Sequence, residues 1–116
     1  MKRTLILITV FASVVSMVMA VPLSAAGDTR TVTYLENSDH EITIYFINGK
    51  EPGATMMIMG GIQGDEPGGY LAADLYADMR LEKGSLIVVP RTNFFSIRRN
   101  QRGVDGDLNR KFGGAR

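Results

Sequence analysis

The sequence predicts an α/β domain in which an N-terminal β-hairpin leads into a strand–helix–strand parallel crossover of a mixed sheet. Three observations predict it. Two runs of β-branched and aromatic residues, "TRTVTYLEN" and "EITIYFINGK", flank the turn chemistry of "NSDH". An apolar run, "ATMMIMGGI", is followed by a helical pattern and then by a second apolar run, "SLIVVP". The composition, 45% hydrophobic and 22% charged over 116 residues, suits one small globular domain rather than a disordered chain.

At the start of the chain, Lys2 and Arg3 precede the uncharged run "TLILITVFASVVSMVMAVPL", and "SAAG" then supplies small residues at the spacing a signal peptidase reads. Residues 1–26 are expected to be a signal peptide cut after Ala26. A cut after Ala20 and an uncleaved anchor are the alternatives, and Pro22 with the small residues beyond it favours cleavage. The expected location is the periplasm, with membrane contact only through the leader. Losing Lys2 and Arg3 takes the formal charge from +1 to −1. Such a near-neutral balance argues against nucleic acid as a partner. With no cysteine, the chain has neither a lipoprotein anchor nor a disulfide framework.

Beyond the hairpin, "NGKEPG" is expected to turn the chain again. "ATMMIMGGI" lacks polar alternation, the pattern of a strand buried on both faces. Pro67 suits a first helical turn, and Asp65 and Glu66 lie near the positive end of the helix dipole. Leu71, Leu75 and Met79 recur every four residues beside Ala72 and Tyr76, which predicts an amphipathic helix through about Arg80. Gly84 interrupts the chain and "SLIVVP" forms a second buried strand. A crossover of this kind is right-handed with parallel strands. Ligands gather beyond the carboxyl ends of such strands. "GIQGDE" and "RTNFFSIRRNQRGVDGDLNRKF" both begin there, so they are expected to be neighbours in space.

Gln63 and Glu66 stand three apart where strand turns to helix, and an amide oxygen and a carboxylate at that separation could face one ion. The same residues also suit a plain helix start, with Asp65 as cap and Glu66 complementing the dipole. In the second segment Arg91, Arg98, Arg99 and Arg102 crowd together, and Asn109 and Arg110 follow side by side. Asn-Arg could clamp a carboxylate, and an arginine aimed at a scissile carbonyl would stabilise the developing oxyanion. A solvated basic loop or a nucleic-acid patch is the blander alternative. Against the patch, Asp105 and Asp107 interrupt the basic run.

Taken together, "QGDEP" and "RGVDGDLNRKF" resemble the zinc carboxypeptidase superfamily that also contains succinylglutamate desuccinylase and aspartoacylase, over residues 55–114. In that family a strand ends in H-G-[ND]-E-P, whose His and Glu bind zinc, and R-(x)-D-L-N-R-x-F follows one helix and one strand later. Gln63 stands where most members have histidine. In this the chain is similar to the glutamine-ligand peptidoglycan carboxypeptidases of curved and helical bacteria, which trim muropeptide stems.

The resemblance implies a partial carboxypeptidase-like fold and a zinc-dependent hydrolase with one Zn2+ per complete site. It implies Gln63 and Glu66 as ligands and Arg102 polarising the scissile carbonyl. Asn109 and Arg110 would hold the substrate's terminal carboxylate. Asp107 would either orient these arginines or form a structural salt bridge. The implied partner is a muropeptide or another peptide with a free C-terminal carboxylate.

The family also needs a third ligand, a histidine downstream, and beyond it a glutamate as general base. His40, the only histidine, precedes the motif in polar turn company and is expected at the surface. Residues 27–116 are therefore expected to be the N-terminal portion of a zinc-carboxypeptidase-like catalytic domain, truncated and inactive alone. Two other readings stay open. One is a deacylase of N-acyl amino acids. The other is a non-catalytic exported module that binds peptide carboxylates through Arg102 and Arg110 without metal.

Overall fold

The computed structural model describes residues 27–113, so the expected leader lies outside the described residues. The hairpin forms as its composition requires. Strand β1 (Thr29–Tyr34) pairs antiparallel with β2 (Ile42–Asn48), with Thr29 opposite Ile47 and Tyr34 opposite Ile42. Strand β3 (Glu51–Met59) then leads through a glycine-rich turn to helix α1 (Pro67–Ala77), and β4 (Lys83–Val89) returns beside β3. The sheet order is β1-β2-β4-β3, with β3 and β4 parallel and the other two pairings antiparallel. A short helix α2 (Phe94–Arg98) and a 3-10 turn (Leu108–Arg110) complete the described chain. Among the described residues no helix is long and apolar enough to cross a membrane.

The core sits where β2 and β4 meet. Ile47, Leu86 and Val88 are buried, with Tyr45, Ile58, Ala77 and Leu81 packed around them. Burying Ile47, Leu86 and Val88 contributes about 2 kcal/mol each. β4 is central because it alone has a strand on both sides and α1 near it. Its residues Leu86, Val88 and Val89 are accordingly the most buried run.

Four local expectations need correction. β3 is not buried on both faces: it is the edge strand, and Met56, Met57 and Met59 are 64%, 57% and 40% exposed. Continuous hydrophobicity fits a central parallel strand, but among the described residues no strand lies beyond β3. The "NGKEPG" turn is shorter than expected, since β3 already begins at Glu51, with a shift of register between Glu51 and Thr55. α1 stops at Ala77 rather than near Arg80. Asp78 takes the C-cap, where a carboxylate faces the negative end of the dipole and disfavours another turn.

The fourth correction concerns which side of α1 meets the sheet. Leu71, Leu75 and Met79 are 54%, 74% and 42% exposed, whereas Ala73 is 3% exposed. The helix approaches along its small residues because Gly60 leaves no gap: a Cβ there would strike the Ala73 Cβ and the Gly69 carbonyl. Helical periodicity located the element correctly, but close backbone approach chose the face.

Candidate metal and substrate site

The turn from β3 into α1 and the loop after β4 meet beyond the carboxyl ends of the parallel strands. Backbone bonds lace them together. The Thr92 N–H donates to the Gly60 carbonyl at 3.0 Å and the Asn93 N–H to the Gly61 carbonyl at 2.9 Å. Gly64 is buried against the second loop, and its N–H donates to the Arg102 carbonyl at 3.3 Å. A Cβ at Gly64 would run into the Ser96 carbonyl group and the Gln101 carbonyl oxygen, so glycine is required by close approach. Gly61, with φ of 63°, makes the sharp exit from β3.

This turn buries Gln63 to 6% exposure at the wall of a cavity of 280 Å³. The cavity is also lined by Glu66, Asn109, Ile62 and the glycines of the turn. Among the described residues no hydrogen bond reaches the Gln63 amide. Every sealed side-chain polar atom in the described chain has a partner. The Gln63 amide must therefore open onto the cavity. An amide that lines a cavity and has no hydrogen-bond partner among the described residues is free to meet a ligand there.

Pro67 takes the first helical position, and Glu66 is the N-cap residue with no side-chain cap hydrogen bond. Asp65 does not cap the helix. The Glu66 carboxylate instead accepts from the Arg102 guanidinium at 3.3 Å, both side chains being more than half exposed. An exposed pair of this kind is worth at most about 1 kcal/mol, weak enough for a cation or substrate to displace.

The arginine-rich segment divides into structural and site-facing members. Arg91 pairs with Asp74 of α1. Arg98 and Arg99 both hold Asp39 of the hairpin turn, at 2.7 and 2.9 Å. The Arg99 hydrogen bond, with the Coulombic pull of both arginines, lowers the Asp39 pKa below its ordinary value. His40 is exposed, as its turn setting requires, and stacks on Phe95 with ring centroids 4.6 Å apart. These contacts clamp the hairpin onto α2, leaving Arg102 and Arg110 free of them.

Asp107 opens the 3-10 turn. Its Oδ1 accepts from the Asn109 N–H at 3.0 Å and its Oδ2 lies 3.9 Å from the Arg110 Nε. It therefore organises the Asn109–Arg110 pair and not Arg102. Asn109 faces the cavity, whereas Arg110 is 86% exposed outside it. The structure thus brings Gln63, Glu66 and Asn109 to one cavity, pairs Arg102 with Glu66, and leaves Arg110 exposed outside it.

A carboxylate and an amide oxygen lining one cavity suit a hard or borderline cation, and the carboxylate is among the usual donors to zinc. Among the described residues no three of His, Cys, Asp and Glu gather to complete one. A larger hollow of 650 Å³ lies at the opposite end of the sheet, lined by Ile47, Ala77, Met79 and Leu81 among others. Sequence reasoning missed Asn93 and Ser96, which join the two loops. Asn93 could have been found as an N-cap residue ahead of α2; nothing in sequence marks Ser96.

Comparison with known proteins places the chain in a hydrolase family. A family model described as the catalytic region of a carboxypeptidase controlling helical cell shape matches residues 1–115. No curated protein sequence matches. Among solved structures, an aspartoacylase family protein from Mesorhizobium loti superposes with a TM-score of 0.62 at 22% identity, covering 78% of this chain and 31% of that one. At that identity the likeness is one of fold. The product-bound ectoine utilization protein from Ruegeria pomeroyi gives 0.61 at 28% identity, covering 83% and 33%. A succinylglutamate desuccinylase from a Silicibacter species gives 0.59 at 32% identity, covering 83% and 33%. The chain spans about a third of the length of these solved relatives.

Proposed function

The chain belongs to the family of carboxypeptidases controlling helical cell shape, and from that membership we propose that it forms part of a zinc-dependent carboxypeptidase acting on peptidoglycan stem peptides in the periplasm. The observation that carries this reading is the Gln63 amide, buried and without a partner among the described residues, on the same cavity wall as Glu66. Gln63 and Glu66 would hold the metal, with the remaining donors supplied from elsewhere. When bound, zinc supplies Lewis acidity and a water made acidic enough to attack at neutral pH.

The chain's own residues do the rest by position. Arg102 leaves its exposed pair with Glu66 and donates to the oxygen of the scissile carbonyl, where its fixed positive charge opposes the negative charge that develops. Asn109 donates its side-chain amide to one oxygen of the substrate's terminal carboxylate, and Arg110 swings from the rim to meet the other. Asp107 holds the 3-10 turn so that these two groups are presented together. Burial of the turn from Gly60 to Gly64 keeps bulk water from one side of the cavity.

A second reading, hydrolysis of an N-acyl amino acid, is favoured by the solved relatives, which include a succinylglutamate desuccinylase. One assay separates the two. The whole protein, zinc-loaded, is incubated with a muropeptide tripeptide, with the same tripeptide amidated at its C-terminus, and with N-succinylglutamate. Loss of the terminal residue from the free tripeptide alone is the expected result. Release of succinate would move the chain to the deacylases. Tripeptide binding that is unchanged by a chelator, without turnover, would make it a carboxylate-binding module.

A further inference from the structure

We propose that Asn93 is the positioning residue that fixes Gln63 against Arg102, an inference that rests on the metal reading above. Asn93 follows β4 and precedes α2, and it does not line the cavity. Its importance lies in the number of groups it ties. Its N–H donates to the Gly61 carbonyl at 2.9 Å, and its Nδ2 donates to the Ile62 carbonyl at 3.4 Å. Its Oδ1 accepts from the Ser96 N–H at 3.2 Å, capping α2.

Gln63 is thereby bracketed. The carbonyl just before it is held by the Asn93 side chain, and the N–H just after it is held by the Arg102 carbonyl. The second tie depends on the first helix turn of α2. The Ser96 carbonyl accepts from the Gln101 N–H at 3.1 Å, and the Ser96 hydroxyl accepts from the Val104 N–H at 3.0 Å. Ser96 is fully buried. Asn93 therefore grips the Gln63 turn with one end of its amide and, through Ser96, the loop that carries Arg102 with the other.

Only an amide meets both demands. The Ile62 carbonyl needs a donor and the Ser96 N–H needs an acceptor, a few ångströms apart on one short side chain. Aspartate keeps the cap but sets a carboxylate oxygen against the Ile62 carbonyl. Serine keeps the cap, carries no charge and is too short to reach Ile62. These substitutions separate a positioning role from a merely structural one, because the helix cap survives in both.

The test titrates zinc into the whole metal-free protein by calorimetry, for wild type and Asn93→Ser, alongside thermal melting and amide hydrogen exchange. Asn93→Ser is expected to weaken zinc affinity about tenfold, the lower end of the range for residues that orient metal ligands. Its melting temperature should change little. The Gly64 amide should exchange faster while those of β2 and β4 stay protected. If Asn93→Ser binds zinc as tightly as wild type, or loses affinity only in step with its melting temperature, the positioning role is wrong. If wild type itself takes up no zinc, the metal reading falls and this inference with it, a result distinguishable from equal binding. Should Asn93→Ser fail to fold, Asn93→Asp carries the same expectation for Gly64 exchange, and an unchanged rate there overturns the proposal.

Discussion

From Gly60 to Gly64 the chain is almost wholly buried, and at its glycines the backbone lies against α1 and the second loop with no room for a Cβ. From Arg98 to Arg110 most side chains are exposed, and ion pairs and turn caps hold them. Both loops end at one cavity. The first presents its donors by packing and the second by surface charge. Packed groups are rigid and intolerant of added volume, whereas exposed ion pairs contribute little stability and exchange partners readily. Gln63 is thus held in place by packing, while the exposed groups of the second loop, and Glu66 with them, are free to move onto a ligand.

Several substitutions would break or sharpen that contrast. The largest effect is expected on metal retention. Glu66→Ala should leave no zinc after desalting, measured by atomic absorption, with melting of the metal-free protein almost unchanged. Stoichiometric zinc in that variant would remove Glu66 from the ligand set. Gly64→Ala comes next and acts on the fold, since its methyl meets backbone atoms that cannot turn aside. Overpacking there should cost about 3 kcal/mol, read from denaturant unfolding. A variant as stable as wild type would show that the turn is not tightly packed.

Arg110→Ala tests the other loop. An 86% exposed side chain contributes little to folding, so stability should not move. Loss of a charge-assisted hydrogen bond should weaken substrates with a free terminal carboxylate by about 1.5–3 kcal/mol, and amidated peptides not at all. Equal weakening of both would sink the clamp.

The hairpin clamp offers a smaller, pH-dependent effect. The Asp39 pKa is lowered in the folded chain, chiefly by its hydrogen bond to Arg99. A lowered carboxylate pKa contributes stability that is present above the unfolded value and lost as pH falls through the folded one. Asp39→Asn should therefore flatten the acid limb of the melting profile below about pH 4 and leave its neutral part nearly parallel. Retention of the full acid limb would show that Asp39 is not responsible for it. The smallest change expected is a gain. Gly68 lies inside α1 with nothing within 4 Å of a Cβ, so Gly68→Ala should stabilise by about 0.5 kcal/mol.

The order of elements and the meeting of the two polar loops were legible without coordinates. β-Branched runs around "NSDH" give a hairpin, Pro67 starts a helix, and a crossover brings two polar loops to the same end of a sheet. These follow from local sterics and from the handedness of the chain, which act on neighbours in sequence. Gln63 and Glu66 lie in one turn, and both line the same cavity. That the two polar segments would be neighbours was the expectation, and the fold brings Glu66 and Arg102 within 3.3 Å.

What sequence alone could not determine depends on contacts between distant residues. Hydrophobic periodicity in α1 pointed to Leu71 and Leu75, yet Ala73 meets the sheet because Gly60 permits a closer approach there. The apolar run of β3 suggested a strand buried on both faces, but among the described residues sheet order puts it at the edge. Charge in the second segment was plain to see, whereas its division between Asp39, Asp74 and Glu66 depends on partners 17 to 60 residues away. Asn93 carries no chemistry of its own in the sequence. Its role exists only because the fold sets the Ile62 carbonyl and the Ser96 N–H on either side of one amide, and hydrogen bonds are decided by such local geometry rather than by composition.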